Sequence, residues 1–293
     1  MVTVEFGKPY EGKICVALGY FDGMHLGHRK ITEKVTEIAK KENCVPAIST
    51  FADSPNKEKT IYSYHERKRL YAECGAELCL TLYYARVHSL TGKEFFDELT
   101  GLYDVVHIVC GEDYGFGSDG CKTAELEKYC KERGIGLDIV PLYIYHGVKV
   151  SSTAVKNFLI AGDVDSARKL LSVPYHVSGD VVSGDGRGRF IGVPTINLSL
   201  PVDAMEIKYG VYGTYTEIDG KRYRSVTNVG PRPTFGQSKF AVETNLLGYD
   251  GESLLGKHAV VYFYKYIRPV RKYRTAEELV ARIEKDKEWE DLC

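Results

Sequence analysis

The sequence predicts two domains: an α/β doubly wound N-terminal domain, and a C-terminal antiparallel β domain, barrel or sandwich, that ends in a helix. Three observations carry this. Up to about residue 171, short apolar runs alternate with amphipathic ones, the grammar of strands and helices in a mostly parallel sheet covered on both faces. From residue 175 the runs become rich in Val and Tyr and are split by glycine turns, which suits short antiparallel strands. Residues 275–292 return to helical spacing. A chain of 293 residues is long enough for one or two domains with cores of their own. The grammar changes within SVPY, 172–175, which divides the chain into 1–172 and 173–293.

In order, KICVALG (13–19) reads as a buried strand, and the segment 28–43 as a helix with Ile31, Val35, Ile38 and Ala39 on one face. CVPAIST (44–50) is a strand, and YHERKRLYAECG (64–75) a helix stopped by glycine. ELCLTLY (77–83), a helix near Lys93 to Leu99, DVVHIVCG (104–111), TAELEKYCKERG (123–134) and LDIVPLY (137–143) continue the alternation. Helical text at 150–171 closes the first half. Strands follow at 175–184, 210–220, 221–230 and 257–267, with Asp219-Gly220 as a hairpin turn. In the last helix Thr275 is a cap, Glu278 lies three residues on, and Leu279, Val280 and Ile283 share a face.

The totals exclude several classes. The chain is 44% hydrophobic and 27% charged, as soluble globular proteins are. No run approaches the roughly 18 to 20 apolar residues of a membrane span, and the start, MVTVEFGKPY, lacks the pattern of a secretory signal. A net charge of -1 gives no overall reason to expect nucleic acid or an anionic membrane as partner. The 8 cysteines form no CxxC pair, so they read as reduced thiols of a cytoplasmic protein without structural zinc.

GYFDGMHLGH, Gly19 to His28, lies between the first buried strand and its helix, at the end of the sheet where ligands bind. Three readings of His25 and His28 are open: a metal pair, loop histidines without chemistry, or a phosphate site. Nothing nearby supplies a third metal ligand. Gly23 and Gly27 are expected to let the backbone approach a bound anion, with the following helix pointing its amides at it. Such a site suits nucleotidyl transfer, in which a phosphate attacks the α-phosphorus of ATP and the protein supplies positioning and preorganised donors.

These residues resemble the GxFDGxHxGH signature of the HxGH nucleotidylyltransferases. GEDYGFG (111–117) resembles GxDFxFG, and Val150 to Leu171 resembles an SSTxIR segment. The order of the three is that of bacterial bifunctional riboflavin kinase/FAD synthetases, and the resemblance implies the doubly wound HxGH fold for the first domain. It further implies that His25 and His28 contact the ATP phosphates, His28 stabilising the transferred one. Phe21, Asp22, Gly23 and Gly27 would shape the nucleotide loop, and Ser151, Ser152, Thr153 and Lys156 would close over the triphosphate. Helix capping alone is the bland account of the Ser-Ser-Thr run. Phe51 and Asp113 would lie on the flavin side. Four positions depart from the pattern: Lys156 stands for Arg, Ser54 for the His of TFxPHP, Gly115 for a long or basic residue, and Ala52 lies beside them.

A second phosphate-type segment is SGDGRGRFIGVPTINL, 183–198. Alone it reads as a flexible glycine-rich hairpin with exposed arginines. Thr195 and Asn197, two apart on a strand, share a face and offer oxygen ligands that suit Mg²⁺. The segment resembles the riboflavin kinase signature GxxRGRxxGxPTAN, as NVGPRPTFG (228–236) and VETNLL (242–247) resemble later parts of that family. The resemblance implies a β-barrel, Mg-ATP bound by Gly184, Gly186, Gly188, Arg189, Pro194, Thr195 and Asn197, Glu243 as catalytic carboxylate, and Arg268 as a flavin contact. The expected enzyme phosphorylates riboflavin to FMN and adenylates FMN to FAD, with ATP as co-substrate and Mg²⁺ as cofactor. The rival reading keeps the kinase and makes the first domain a degenerate nucleotide- or flavin-binding module.

Overall fold

The computed structural model describes residues 1–53, 59–184, 195–201, 204–231 and 240–290. It divides into two units, Met1–Ser152 and Thr153–Cys293.

In the first unit, in chain order, lie β1 (Val2–Glu5), β2 (Lys13–Leu18), α1 (Leu26–Glu42), β3 (Val45–Phe51), α2 (Tyr64–Glu73), β4 (Leu78–Leu82), α3 (Tyr84–Val87), α4 (Gly92–Leu102) and β5 (Asp104–Gly111). The two-stranded ribbon β6 (Gly115–Phe116) and β7 (Cys121–Lys122) precedes α5 (Thr123–Arg133) and β8 (Gly136–Val140), and the hairpin β9 (Ile144–Tyr145) and β10 (Val148–Lys149) closes the unit. The six-stranded sheet is parallel throughout, in the order β1-β4-β3-β2-β5-β8. From β2 the chain winds one way to β3 and β4, then returns to add β5 on the other side of β2. The reversal opens a crevice at the carboxyl ends of β2 and β5.

Alternation along the strands builds both faces. Ile14, Val16 and Leu18 pack with Phe95, Phe96 and Leu99 of α4 and Leu126 of α5. On α1 the expected face is buried: Ile31, Val35, Ile38 and Ala39, with Asn43 ending the helix in the left-handed region at φ 52°. Thr91 and Glu94 form a reciprocal capping box on α4. The edge strand β1 was not expected: it alternates Val2 and Val4 with Thr3 and Glu5 but is only four residues long, and backbone pairing with β4 places it.

The second unit begins with α6 (Ser152–Ala161, one residue across the division) and α7 (Val164–Leu170). Lys208 N donates to Leu159 O at 3.4 Å, and α7 lies against the barrel strand formed by His258–Arg268. The change of grammar near residue 172 is therefore a change from helix to strand, while the contacts change at 152–153. The barrel strands are β11 (His176–Val182), β12 (Ile196–Leu198), β13 (Gly210–Ile218), β14 (Lys221–Pro231), β15 (Phe240–Leu246) and β16 (His258–Arg268). They close antiparallel in the order β11-β12-β15-β14-β13-β16. Asp219 and Gly220, both at positive φ, make the tight β13–β14 turn.

The barrel interior carries buried hydroxyls. Thr216 and Thr214 each reach Ser225 at 2.8 Å, Thr214 reaches Thr227 at 2.7 Å, and Thr227 reaches Thr244 at 2.9 Å. A hydroxyl can both donate and accept, so the four bonds link the five side chains without charge. Outside the barrel lies α8 (Ala276–Lys287), with the expected Thr275 cap accepting from Glu278 N at 3.2 Å. Trp289 follows it and lies on Gly213, where a Cβ would come within 2.2 Å of the indole.

Candidate functional site

The loop after β2 is held in an uncommon backbone shape. Phe21 and Met24 sit at φ 46° and 45°, a region that side chains with a Cβ seldom enter. Asp22, fully buried, accepts from Ile61 N at 2.7 Å. Tyr71 donates to Phe21 O at 3.0 Å. Arg67 is buried beneath the loop and donates to Tyr20 O at 3.3 Å and Phe51 O at 3.0 Å, tying the ends of β2 and β3 together.

This scaffold aims the two histidines. His25 is the N-cap of α1, and its Nδ1 accepts from His28 N at 3.2 Å. A neutral ring that accepts at Nδ1 carries its proton on Nε2, leaving that N–H as a donor. The rings stack at 3.6 Å between centroids, 17° apart, and the Phe21 ring stands edge-on to His28 at 5.1 Å. His28 Nδ1 is buried with no partner among the described residues. Burial pushes the His25 pKa down to about 4. It drives His28 well below the usual histidine range too, helped by His25 and Arg67 nearby. Both rings are therefore neutral at pH 7.

The glycines of the motif act differently from expectation. A Cβ on Gly23 would lie 2.5 Å from Ile61 Cδ1, and one on Gly27 3.2 Å from the His25 ring. Their missing side chains make room for Ile61 and for the His25 imidazole, and Gly27 also lines the cleft.

His25 and His28 line a cleft of about 770 Å³ that belongs wholly to residues 1–152. One end is formed by Gly111, Val140, Pro141, Tyr143, Ser151 and Ser152. Phe51, Leu82, Tyr84, Phe95 and Phe116 make the other end apolar and aromatic. Of the residues expected here, Phe21, His25, Gly27, His28, Phe51, Asp113, Ser151 and Ser152 line the cleft. Asp22 and Gly23 support it from behind, while Thr153 and Lys156 lie on α6 in the second unit. The Asp113 carboxylate is held by Lys149 Nζ at 2.8 Å. Gly115 pairs with Lys122 across the ribbon, and a Cβ on Gly115 would lie 2.8 Å from Lys122 Nζ. A basic group thus stands beside the position although its own residue is glycine. Ser54 lies outside the described residues, and Asp53 accepts from Tyr84 N at the start of α3, at 3.0 and 3.2 Å.

On the barrel, strand register assembles the second site. Asn197 pairs with Glu243, Glu243 with Asn228, Asn228 with Val211, and Val211 with Arg268. Because the buried hydroxyls next in sequence point inward, this row faces out. It sets Asn197 beside Glu243 and adds Asn228, the first residue of the NVGPRPTFG segment. Thr195 is exposed just ahead of β12. Gly184 has no room for a side chain, since a Cβ would lie 2.1 Å from Asn197 Nδ2. Arg268 is engaged with Asp286 of α8, Nη2 to Oδ2 at 2.6 Å and Nε to both oxygens at 2.9 and 3.1 Å. Its guanidinium anchors the helix, a role not read from the sequence. Gly186, Gly188, Arg189 and Pro194 lie outside the described residues.

Comparison with known proteins gives each unit a match. A family model described as FAD synthetase matches residues 8–154, and one described as riboflavin kinase matches residues 171–291. The bifunctional riboflavin kinase/FMN adenylyltransferase of Bacillus subtilis is 32% identical over 96% of this chain and 92% of its own length. The Escherichia coli K12 protein of the same description is 32% identical over 95% and 91%. A crystal structure from Streptococcus pneumoniae, described as a macrolide-efflux protein, superposes with a TM-score of 0.89 at 30% identity over 98% of both chains. No helix among the described residues here is long and apolar enough to cross a membrane. Matched over nearly its whole length, with both catalytic units present, the chain belongs to the bifunctional riboflavin kinase/FMN adenylyltransferase family.

Proposed function

We propose that the chain makes FAD from riboflavin in two ATP-dependent steps: the barrel phosphorylates riboflavin to FMN, and the N-terminal unit adenylates FMN and releases pyrophosphate. The observation that carries the second step is the buried His25–His28 pair at the start of α1, facing a cleft with one aromatic end. ATP lies with its phosphates against the His25 Nε2–H, His28 and the amides of α1, and its nucleoside toward Gly111, Tyr143 and Ser152. FMN enters from the aromatic end, so that its phosphate meets the α-phosphorus opposite the departing pyrophosphate. As negative charge spreads over the equatorial oxygens, the histidines donate to them, and their rings become easier to protonate as the anion closes on them. Lys122, beside Gly115, supplies positive charge on the FMN side.

In the barrel, Glu243 orients or deprotonates the ribityl 5′-hydroxyl for attack on the γ-phosphate of ATP. Asn197, next to it in the row, and Thr195 fit a hard cation. They offer neutral oxygens, and the missing side chain of Gly184 leaves space for the Asn197 amide. Mg²⁺ held there supplies charge neutralisation to the ATP phosphates. We place the enzyme in the cytoplasm, which the seven free thiols among the described residues support.

The kinase-only reading is disfavoured because the first cleft keeps both a histidine pair and an acceptor end. Flavin products separated chromatographically test the assignment. His28→Ala supplied with FMN and Mg-ATP loses about 10²-fold or more of its FAD formation while still converting riboflavin to FMN. Glu243→Ala does the reverse. Full FAD formation by His28→Ala would overturn the placement of the first site.

A further inference from the structure

The floor of the aromatic end contains one polar side chain that nothing in the fold explains. Ser49, on β3, is 1% exposed and lines the cleft. Its cross-strand neighbours are Leu18 on β2 and Leu80 on β4, and the residues sharing its face along β3 are Ala47 and Phe51. Leu18, Leu80, Ala47 and Phe51 all belong to, or lie against, the apolar core. Among the described residues Ser49 Oγ has no hydrogen-bond partner. The serine backbone is satisfied separately, with its carbonyl accepting from Gly19 N at 3.4 Å.

A buried hydroxyl without a partner destabilises a fold, and alanine would occupy this site without that cost. The penalty falls away if a ligand completes the hydroxyl's bonding. The ligand must be flat enough for an aromatic slot, apolar over most of its surface, and polar at one edge. An isoalloxazine ring has those properties, its polar edge carrying both carbonyl acceptors and an N–H donor that a hydroxyl can meet either way. We propose that Ser49 Oγ hydrogen-bonds the polar edge of the FMN ring in the adenylyltransferase site, so that the ring enters that edge first and Ser49 selects flavin over planar rings lacking such an edge. The inference rests on FMN occupying this end of the cleft.

The test compares Ser49→Ala with Phe51→Ala, each as the full chain, by steady-state FAD formation and by thermal melting with and without FMN. Loss of one neutral hydrogen bond predicts that Ser49→Ala raises KM for FMN about five- to tenfold. Its kcat and its KM for ATP should stay within about twofold of wild type, since the bond is made in both ground and transition states. Without FMN, Ser49→Ala should melt no lower than wild type, because a partnerless hydroxyl has gone. Its stabilisation by FMN should be smaller. If Phe51→Ala raises KM for FMN and Ser49→Ala does not, FMN lies in this end of the cleft and the Ser49 contact is refuted. If neither changes KM for FMN, the placement itself fails. If Ser49→Ala lowers the melting temperature and moves KM for ATP as much as KM for FMN, its role is structural and the proposal falls.

Discussion

At the residue scale, burial decides the charge of His25. Folded His25 titrates at about 4, whereas an unfolded histidine titrates near its ordinary value of 6.5. Between these values the unfolded chain binds a proton that the folded chain refuses, so stability falls as pH drops from 6.5 toward 4. His28, shifted in the same direction, adds to the slope. For His25 alone the loss reaches about 3 kcal/mol by pH 4. His25→Asn keeps a side-chain cap on α1 but does not titrate. Its urea-unfolding midpoint should therefore change less between pH 7 and pH 5 than that of wild type. An equal change in both would contradict the buried, neutral histidine. His25 and His28 were legible in sequence because their spacing and their place after a strand are local facts. Arg67 was not, since its partners are backbone carbonyls of Tyr20 and Phe51, far away along the chain. Asn228 lies in a segment the sequence marks, but its place beside Glu243 was hidden, because only the register of β14 on β15 brings the two together. Gly23 and Gly27 were legible as necessary glycines, but their packing role was not, because it depends on where Ile61 and the His25 ring come to rest.

At the element scale, the strands and helices with strong apolar periods fell close to where the sequence places them. DVVHIVCG became β5 without adjustment, and α1, α2, α4 and α5 shifted only at their ends. The short pieces were not legible. β1, β12 and the β6–β7 ribbon hold two to four residues each, too few for a period to register, and hydrogen bonds to neighbours define them. In α8 the apolar face was visible and its most buried residue was not. Asp286 has a side chain with 0% exposure, beneath the Arg268 fork and within 3.2 Å of Arg282 Nε. A carboxylate in an amphipathic helix reads as solvated. Asp286→Ala should cost about 3–5 kcal/mol, because it leaves a largely buried guanidinium uncompensated. Trp289 is the only tryptophan in the chain and lies at the end of this helix, so its fluorescence in a urea titration reports the loss. Replacing both partners by apolar residues, Arg268→Met with Asp286→Leu, should recover most of it. If the single variant is as stable as wild type, the ion pair does not anchor α8.

At the scale of the whole molecule, each unit carries candidate site residues of its own. The histidine cleft lies within residues 1–152, and the Asn197–Glu243–Asn228 row is built from barrel strands alone. The product of one site is the acceptor of the other, and both draw on ATP. The two-domain plan was legible because parallel and antiparallel sheets leave different sequence grammars. The contacts divide the chain earlier than the grammar does, because α6 and α7 continue the helical text of the first half while their contacts lie with the second unit. Separate sites linked by a diffusible intermediate make a direct prediction for FAD formed from riboflavin and Mg-ATP. His28→Ala alone should stop at FMN, and Glu243→Ala alone should leave riboflavin unchanged. An equimolar mixture of the two should restore FAD, because FMN released by the first variant is adenylated by the second. If the mixture forms no FAD although both variants remain folded, or if either substitution abolishes both steps, two self-sufficient sites cannot be the correct account.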